Sequence, residues 1–151
     1  MRHNAIGLDT NVLIYLHDGS SPDKRAIAKN LLANNPHIPS QVISEYLNVS
    51  RRLLGLSKEE LLINSSGLFS GCIITPTLPH TLLFAASLVK KHQFQLFDAI
   101  IVATAIEAHC NILYSEDMHH KLVVNKSLTH YQSFFIVSIK LTQKQRYYPK
   151  N

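Results

Sequence analysis

The chain has 151 residues, 46% of them hydrophobic and 17% charged, which is the balance of a folded globular domain and excludes a disordered or low-complexity segment. At this length one domain is the simplest division, and folding withdraws roughly 70% of the unfolded surface from water. Lys and Arg number 15 against 10 Asp and Glu, a formal net charge of +5, which favours an anionic partner such as nucleic acid.

Residues 5–8, AIGL, have the short apolar character of a buried strand. Asp9, Thr10 and Asn11 then interrupt the apolar run where that strand ends, and Val12, Leu13, Ile14 and Leu16 continue it as a helix or a second strand. If the first strand is central in a parallel sheet, Asp9 lies at its carboxyl end, where open α/β sheets place their ligand crevices. Alternatively, Asp9 caps the next helix with its side chain.

Residues 22–34 show apolar positions at Ala26, Ile27, Leu31 and Leu32 with Pro in the first turn, a helix that Asn34, Asn35 and Pro36 stop. Residues 37–39 form a small second strand. Over residues 41–54, Val42, Ile43, Tyr46, Leu47, Leu53 and Leu54 recur with a period near 3.6, so this segment is a helix, ended by Gly55. Ser57 followed by Glu60 resembles a capping box for the next helix. Residues 72–75 read as a strand closed by Pro76, and residues 79–92 as a helix ending in Lys90, Lys91 and His92. A helix over 97–110, a strand over 112–115 and a last strand over 134–139 complete the chain. Alternating strands and helices specify a single three-layer α/β/α sandwich with a mostly parallel sheet. It spans residues 1–140, with a basic C-terminal tail over 141–151.

Three features bound the setting. No apolar run reaches the ~20 residues of a membrane span. The amino terminus, MRHNAIGLD, does not read as a secretory signal. Cys72 and Cys110 lack disulfide or zinc spacing and are expected to be buried thiols. A cytoplasmic protein without membrane contact is expected.

Acidic residues stand at unusual places in this pattern. Asp98 begins the segment LFDAIIVATAIEAHC, whose apolar character all round marks a buried helix. A carboxylate there needs backbone amides or a cation, and an N-terminal cap is the plain structural alternative. ILYSED repeats the opening arrangement, an apolar strand running into an acidic end. In a parallel sheet, Ser115, Glu116 and Asp117 emerge on the same edge as Asp9, and Asp117 shares its facing with Ser115. Glu45 borders the inward stripe of its helix, as a fourth member or as a boundary residue paired with a nearby Arg. Converging carboxylates raise one another's pKa unless a cation neutralises them, and Mg²⁺ or Mn²⁺ is the natural choice for oxygen ligands. Basic charge around such a pocket suits a nuclease.

With these residues the sequence resembles PIN-domain proteins, and more closely the VapC-type toxins of toxin–antitoxin pairs. The resemblance rests on LDTNVLIY at residues 8–15, SEYLNV at 44–49, FDAIIVATA at 97–105 and SEDM at 115–118, in the family's order. It implies a Mg²⁺-dependent endoribonuclease, a homodimer with a cognate antitoxin, whose metal-binding catalytic cluster carries over to Asp9, Glu45, Asp98 and Asp117. Asn11 and Ser115 match supporting polar positions expected to orient the carboxylates through hydrogen bonds. Thr10 also matches, although its side chain could instead cap the helix. Arg51, Arg52, Lys90 and Lys91 are candidate RNA contacts. Rival functions are a PIN-domain RNA-processing nuclease without a toxin role, a Mg²⁺-dependent aspartyl phosphotransfer domain, and a non-catalytic RNA-binding module. The phosphotransfer rival is weakened by Asn11, where a phosphatase usually carries a second Asp, and histidine catalysis by the scatter of the nine His residues.

Overall fold

The structure, a computed structural model, describes residues 4–116, 118 and 135–138. Five parallel strands form one sheet: β1 Ile6–Leu8, β2 His37–Pro39, β3 Ile73–Thr75, β4 Ile112–Ser115 and β5 Phe135–Ser138. Their spatial order is β3-β2-β1-β4-β5. The chain therefore builds outward from β1 to β3, then crosses back to lay β4 on the other side of β1. The order reverses between β1 and β4, and that crevice is where parallel sheets bind ligands.

Helices α1 Thr10–Ile14, α2 Pro22–Ala33, α3 Ser40–Leu54 and α4 Lys58–Phe69 connect β1, β2 and β3, and a turn of 3-10 helix, Tyr15–His17, follows α1. Helices α5 Pro79–His92 and α6 Leu96–Glu107 carry the crossover to β4. Right-handed connections put the two groups on opposite faces of the sheet, giving the three layers. The alternation of strands and helices in the sequence thus corresponds to the architecture found.

Local chemistry sets each helix in place. Gly55 closes α3 with φ of 61°, the left-handed conformation that costs glycine least. Ser57 and Glu60 form the expected reciprocal capping box at the start of α4. In α6 every residue from Ala99 to Ala105 is buried. This helix sits close on β1 because Gly7 has no side chain: a Cβ there would lie 3.3 Å from Leu113 Cδ1 and 3.5 Å from Ala105 Cβ. Leu8, Val12, Ile38, Val42, Ile101, Val102, Leu113 and Ile136 fill the centre of the core.

Cys110 is buried there, and burial pushes its thiol up to about 12. Cys72 is only partly buried, because it leads into β3 at the sheet edge, where Ile73 and Ile74 are also exposed. Among the described residues no helix is long and apolar enough to cross a membrane.

Candidate active site

Asp9 is the first residue beyond β1, and its backbone N–H donates to the Tyr114 carbonyl of β4 at 3.0 Å. Its extended backbone makes it the N-cap of α1, with Oδ1 accepting from the Thr10 N–H at 2.7 Å. The other carboxylate oxygen, Oδ2, accepts from the Ser115 hydroxyl at 2.8 Å. Asp9 therefore caps α1 with one oxygen and stands at the carboxyl end of a central strand, between β1 and β4. Ser115 is held in turn by the Met118 N–H at 3.4 Å.

Thr10 does not cap α1 with its side chain. Its hydroxyl donates to Glu45 Oε2 at 2.7 Å, and Gln41 Nε2 reaches Glu45 Oε1 at 3.3 Å. Glu45 thus has Thr10 and Gln41 as partners where the sequence offered an arginine. Asp98 is the third residue of α6, half-buried in its first turn, and the N-cap position itself belongs to Gln95. Asn11 lies beside Thr10 in α1. Asp117 lies outside the described residues.

The electrostatics of this cluster are unfavourable to charge. Burial is the main cause that raises the Asp9 carboxyl from 3.8 to about 6, and the negative charges of Asp98 and Glu45 add to it. The donors Ser115 and Thr10 pull the other way without cancelling burial. Ionised Asp9 therefore costs the fold about 3 kcal/mol, at 1.36 kcal/mol for each tenfold change in proton affinity. A bound cation would remove that cost. The donors are carboxylates and hydroxyls with no thiolate or imidazole among them, a set that fits Mg²⁺ or Mn²⁺. Among the described residues no group of three or more His, Cys, Asp or Glu side chains stands close enough together to hold a metal ion. Mg²⁺ asks for less, since it is commonly held by one or two carboxylates and keeps several waters.

The four candidate RNA contacts separate by position. Helix α3 starts at the carboxyl edge of the sheet, directly after β2, and runs away from it. Arg51 and Arg52 consequently stand about 9–10.5 Å along the helix axis beyond Glu45. Helices α5 and α6 form an antiparallel hairpin, tied at one end by Thr81 Oγ1 donating to Glu107 Oε2 at 2.7 Å. At the other end Lys90 and Lys91 are exposed, a short connector away from Asp98.

Two contributors were not singled out in the sequence. Gln41 stands four residues before Glu45, a helical spacing that offered a signal. Lys24 of α2 pairs with Glu116 at 2.8 Å and lies 4.7 Å from the centre of the Tyr15 ring, fastening the exit of β4. Those partners are 92 residues apart, so only the strand order brings them together.

Comparison with known proteins adds family and fold. The PIN domain profile matches residues 6–125. No curated relative matches the sequence. Among solved structures, the chain is similar to VapC20 of Mycobacterium tuberculosis, described as a sarcin-ricin loop cleaving toxin, with TM-score 0.60 and 18% identity over 75% of this chain and 90% of that one. It is similar to DNA-bound VapBC from Salmonella typhimurium, with TM-score 0.60 and 16% identity over 90% of this chain and 98% of that one. FitAcB from Neisseria gonorrhoeae gives TM-score 0.58 and 23% identity over 74% and 87%. At these identities the structural likeness is one of fold.

Proposed function

The chain belongs to the PIN-domain family, and we propose that it is a Mg²⁺- or Mn²⁺-dependent endoribonuclease acting as the toxin of a toxin–antitoxin pair. The observation that carries the reading is the buried Asp9 carboxyl at the β1/β4 crevice, with the charges of Asp98 and Glu45 raising its proton affinity. A site so arranged asks for a cation, and a basic chain draws a polyanion to it.

In this reading Asp9, Asp98 and Asp117 hold the metal, which when bound activates water and offsets charge developing on the scissile phosphate. The protein's own groups set the geometry. Ser115 and the Thr10 N–H fix the two oxygens of Asp9. The Thr10 hydroxyl and Gln41 hold Glu45, which completes the ligand surroundings or positions the attacking water. Asn11 orients the carboxylates from α1. Lys90 and Lys91 attract the phosphate backbone.

The toxin role is supported by the similar structures, which include a toxin and toxin–antitoxin complexes. A protein antitoxin and a homodimeric assembly belong to the same proposal. The test is cleavage of total RNA by purified protein in Mg²⁺ or Mn²⁺, beside the same protein in chelator and Asp98→Asn. Cutting that needs metal and disappears in the variant is expected. Cutting that survives both would overturn the reading.

A further inference from the structure

The first turn of α6 is at odds with the rest of that helix. Leu96 and Phe97 are 65% and 53% exposed, whereas Ala99 to Ala105 are buried. An isolated exposed apolar residue calls for no explanation. Here an aromatic ring directly precedes Asp98, and the helix before it delivers Lys90 and Lys91 to the same end of the hairpin. Among the described residues no carboxylate lies within ion-pair distance of either lysine. The connector between the two helices is anchored in the core by Phe94, which is buried with its ring 5.9 Å from that of His92.

An exposed ring at the same end of a helical hairpin as exposed cations offers single-stranded nucleic acid both contacts it uses, the ring taking a base face and the cations the backbone. Resting on the nuclease reading above, we propose that Phe97 is the stacking platform for a base of single-stranded RNA next to the scissile phosphate. Lys90 and Lys91 hold the adjoining phosphates. Phe97 thereby selects unpaired RNA and sets where along the strand the cut falls, while the acids perform the cut.

The experiment uses a short single-stranded RNA carrying the fluorescent base 2-aminopurine, bound to the full chain bearing Asp98→Asn so that it is not cut. Quenching on binding is expected, lost on adding Phe97→Ala and retained with Phe97→Tyr. In the cleavage assay, Phe97→Ala should raise KM by roughly 5- to 150-fold, the range for losing one stacked base, with kcat little changed. Quenching and KM left intact by Phe97→Ala, in a protein whose metal-dependent cutting is abolished by Asp98→Asn, would overturn the platform and leave the nuclease standing. Loss of self-association in Phe97→Ala with quenching preserved would also overturn it, assigning the patch to a second copy. Failure of the wild-type chain to bind the RNA or to cut would remove the nuclease reading and the platform together.

Discussion

At Asp9 a helix cap, a strand end and a repelled charge meet in one side chain, and the balance among them is measurable. Its carboxyl titrates at about 6 in the folded chain against an ordinary 3.8, because burial and two neighbouring acids disfavour its charge. The folded protein therefore binds this proton more tightly than the unfolded chain does. Asp9's contribution to stability is fully present below pH 3.8 and is lost as pH rises through about 6. Asp9→Asn keeps an acceptor for the Thr10 N–H and removes the charge. In metal-free protein it should raise urea-measured stability by about 1–3 kcal/mol at pH 7.5 and give no gain at pH 3.5. An equal gain at both pH values would assign the effect to packing. Thr10→Val removes the 2.7 Å bond to Glu45 with little change of shape. Given the ~1.5 kcal/mol of a hydrogen bond to a charged group, kcat for RNA cleavage should fall about tenfold with the fold intact. Asp9 and Ser115 were legible because polar residues at the ends of apolar strands are conspicuous, and Asp98 because a carboxylate stands out at the start of an apolar helix. The Thr10–Glu45 bond was not, because it depends on how α3 lies against α1.

Elements were read from periodicity, and their limits show what periodicity omits. The segment after Asp9 could have been a helix or a strand by its apolar residues alone; the Asp9 cap decides for helix. Helix α6 was expected to run to residue 110, yet it ends at Glu107. His109 takes φ of 59°, and the Cys110 N–H turns back to the Ala105 carbonyl at 3.0 Å. No glycine marks that stop, so the sequence carried no sign of it. Gly55 shows the opposite case, where glycine announces a left-handed helix end. Gly55→Ala should destabilise the chain by about 1 kcal/mol, read from the urea midpoint with an unchanged m-value, because a Cβ is disfavoured in that conformation. No loss would mean that the turn relaxes to another backbone. At β1 a branched side chain meets Leu113 and Ala105 directly. Gly7→Val should cost about 1–3 kcal/mol and weaken activity as well, since it separates the helix bearing Asp98 from the strand bearing Asp9.

Over the whole molecule, the sequence predicts a parallel sheet with helices on both faces but not which strands are neighbours. The order β3-β2-β1-β4-β5 makes β1 central and puts Ser115 within 2.8 Å of Asp9, 106 residues away. That adjacency places Ser115 against Asp9 at the β1/β4 crevice. The net charge of +5 acts at this scale too, favouring a polyanionic partner. If Lys90 and Lys91 each neutralise one phosphate, the double substitution to Ala should flatten the dependence of log binding constant on log salt by about 1.4. The central claim, that Asp9 and Asp98 hold a divalent cation at the β1/β4 crevice, is tested most directly by the thermal response to Mn²⁺ at pH 7.5. Saturating Mn²⁺ should raise the Tm of the wild-type chain and leave Asp9→Asn and Asp98→Asn unmoved. Equal rises in all three proteins would contradict the claim and place the cation elsewhere.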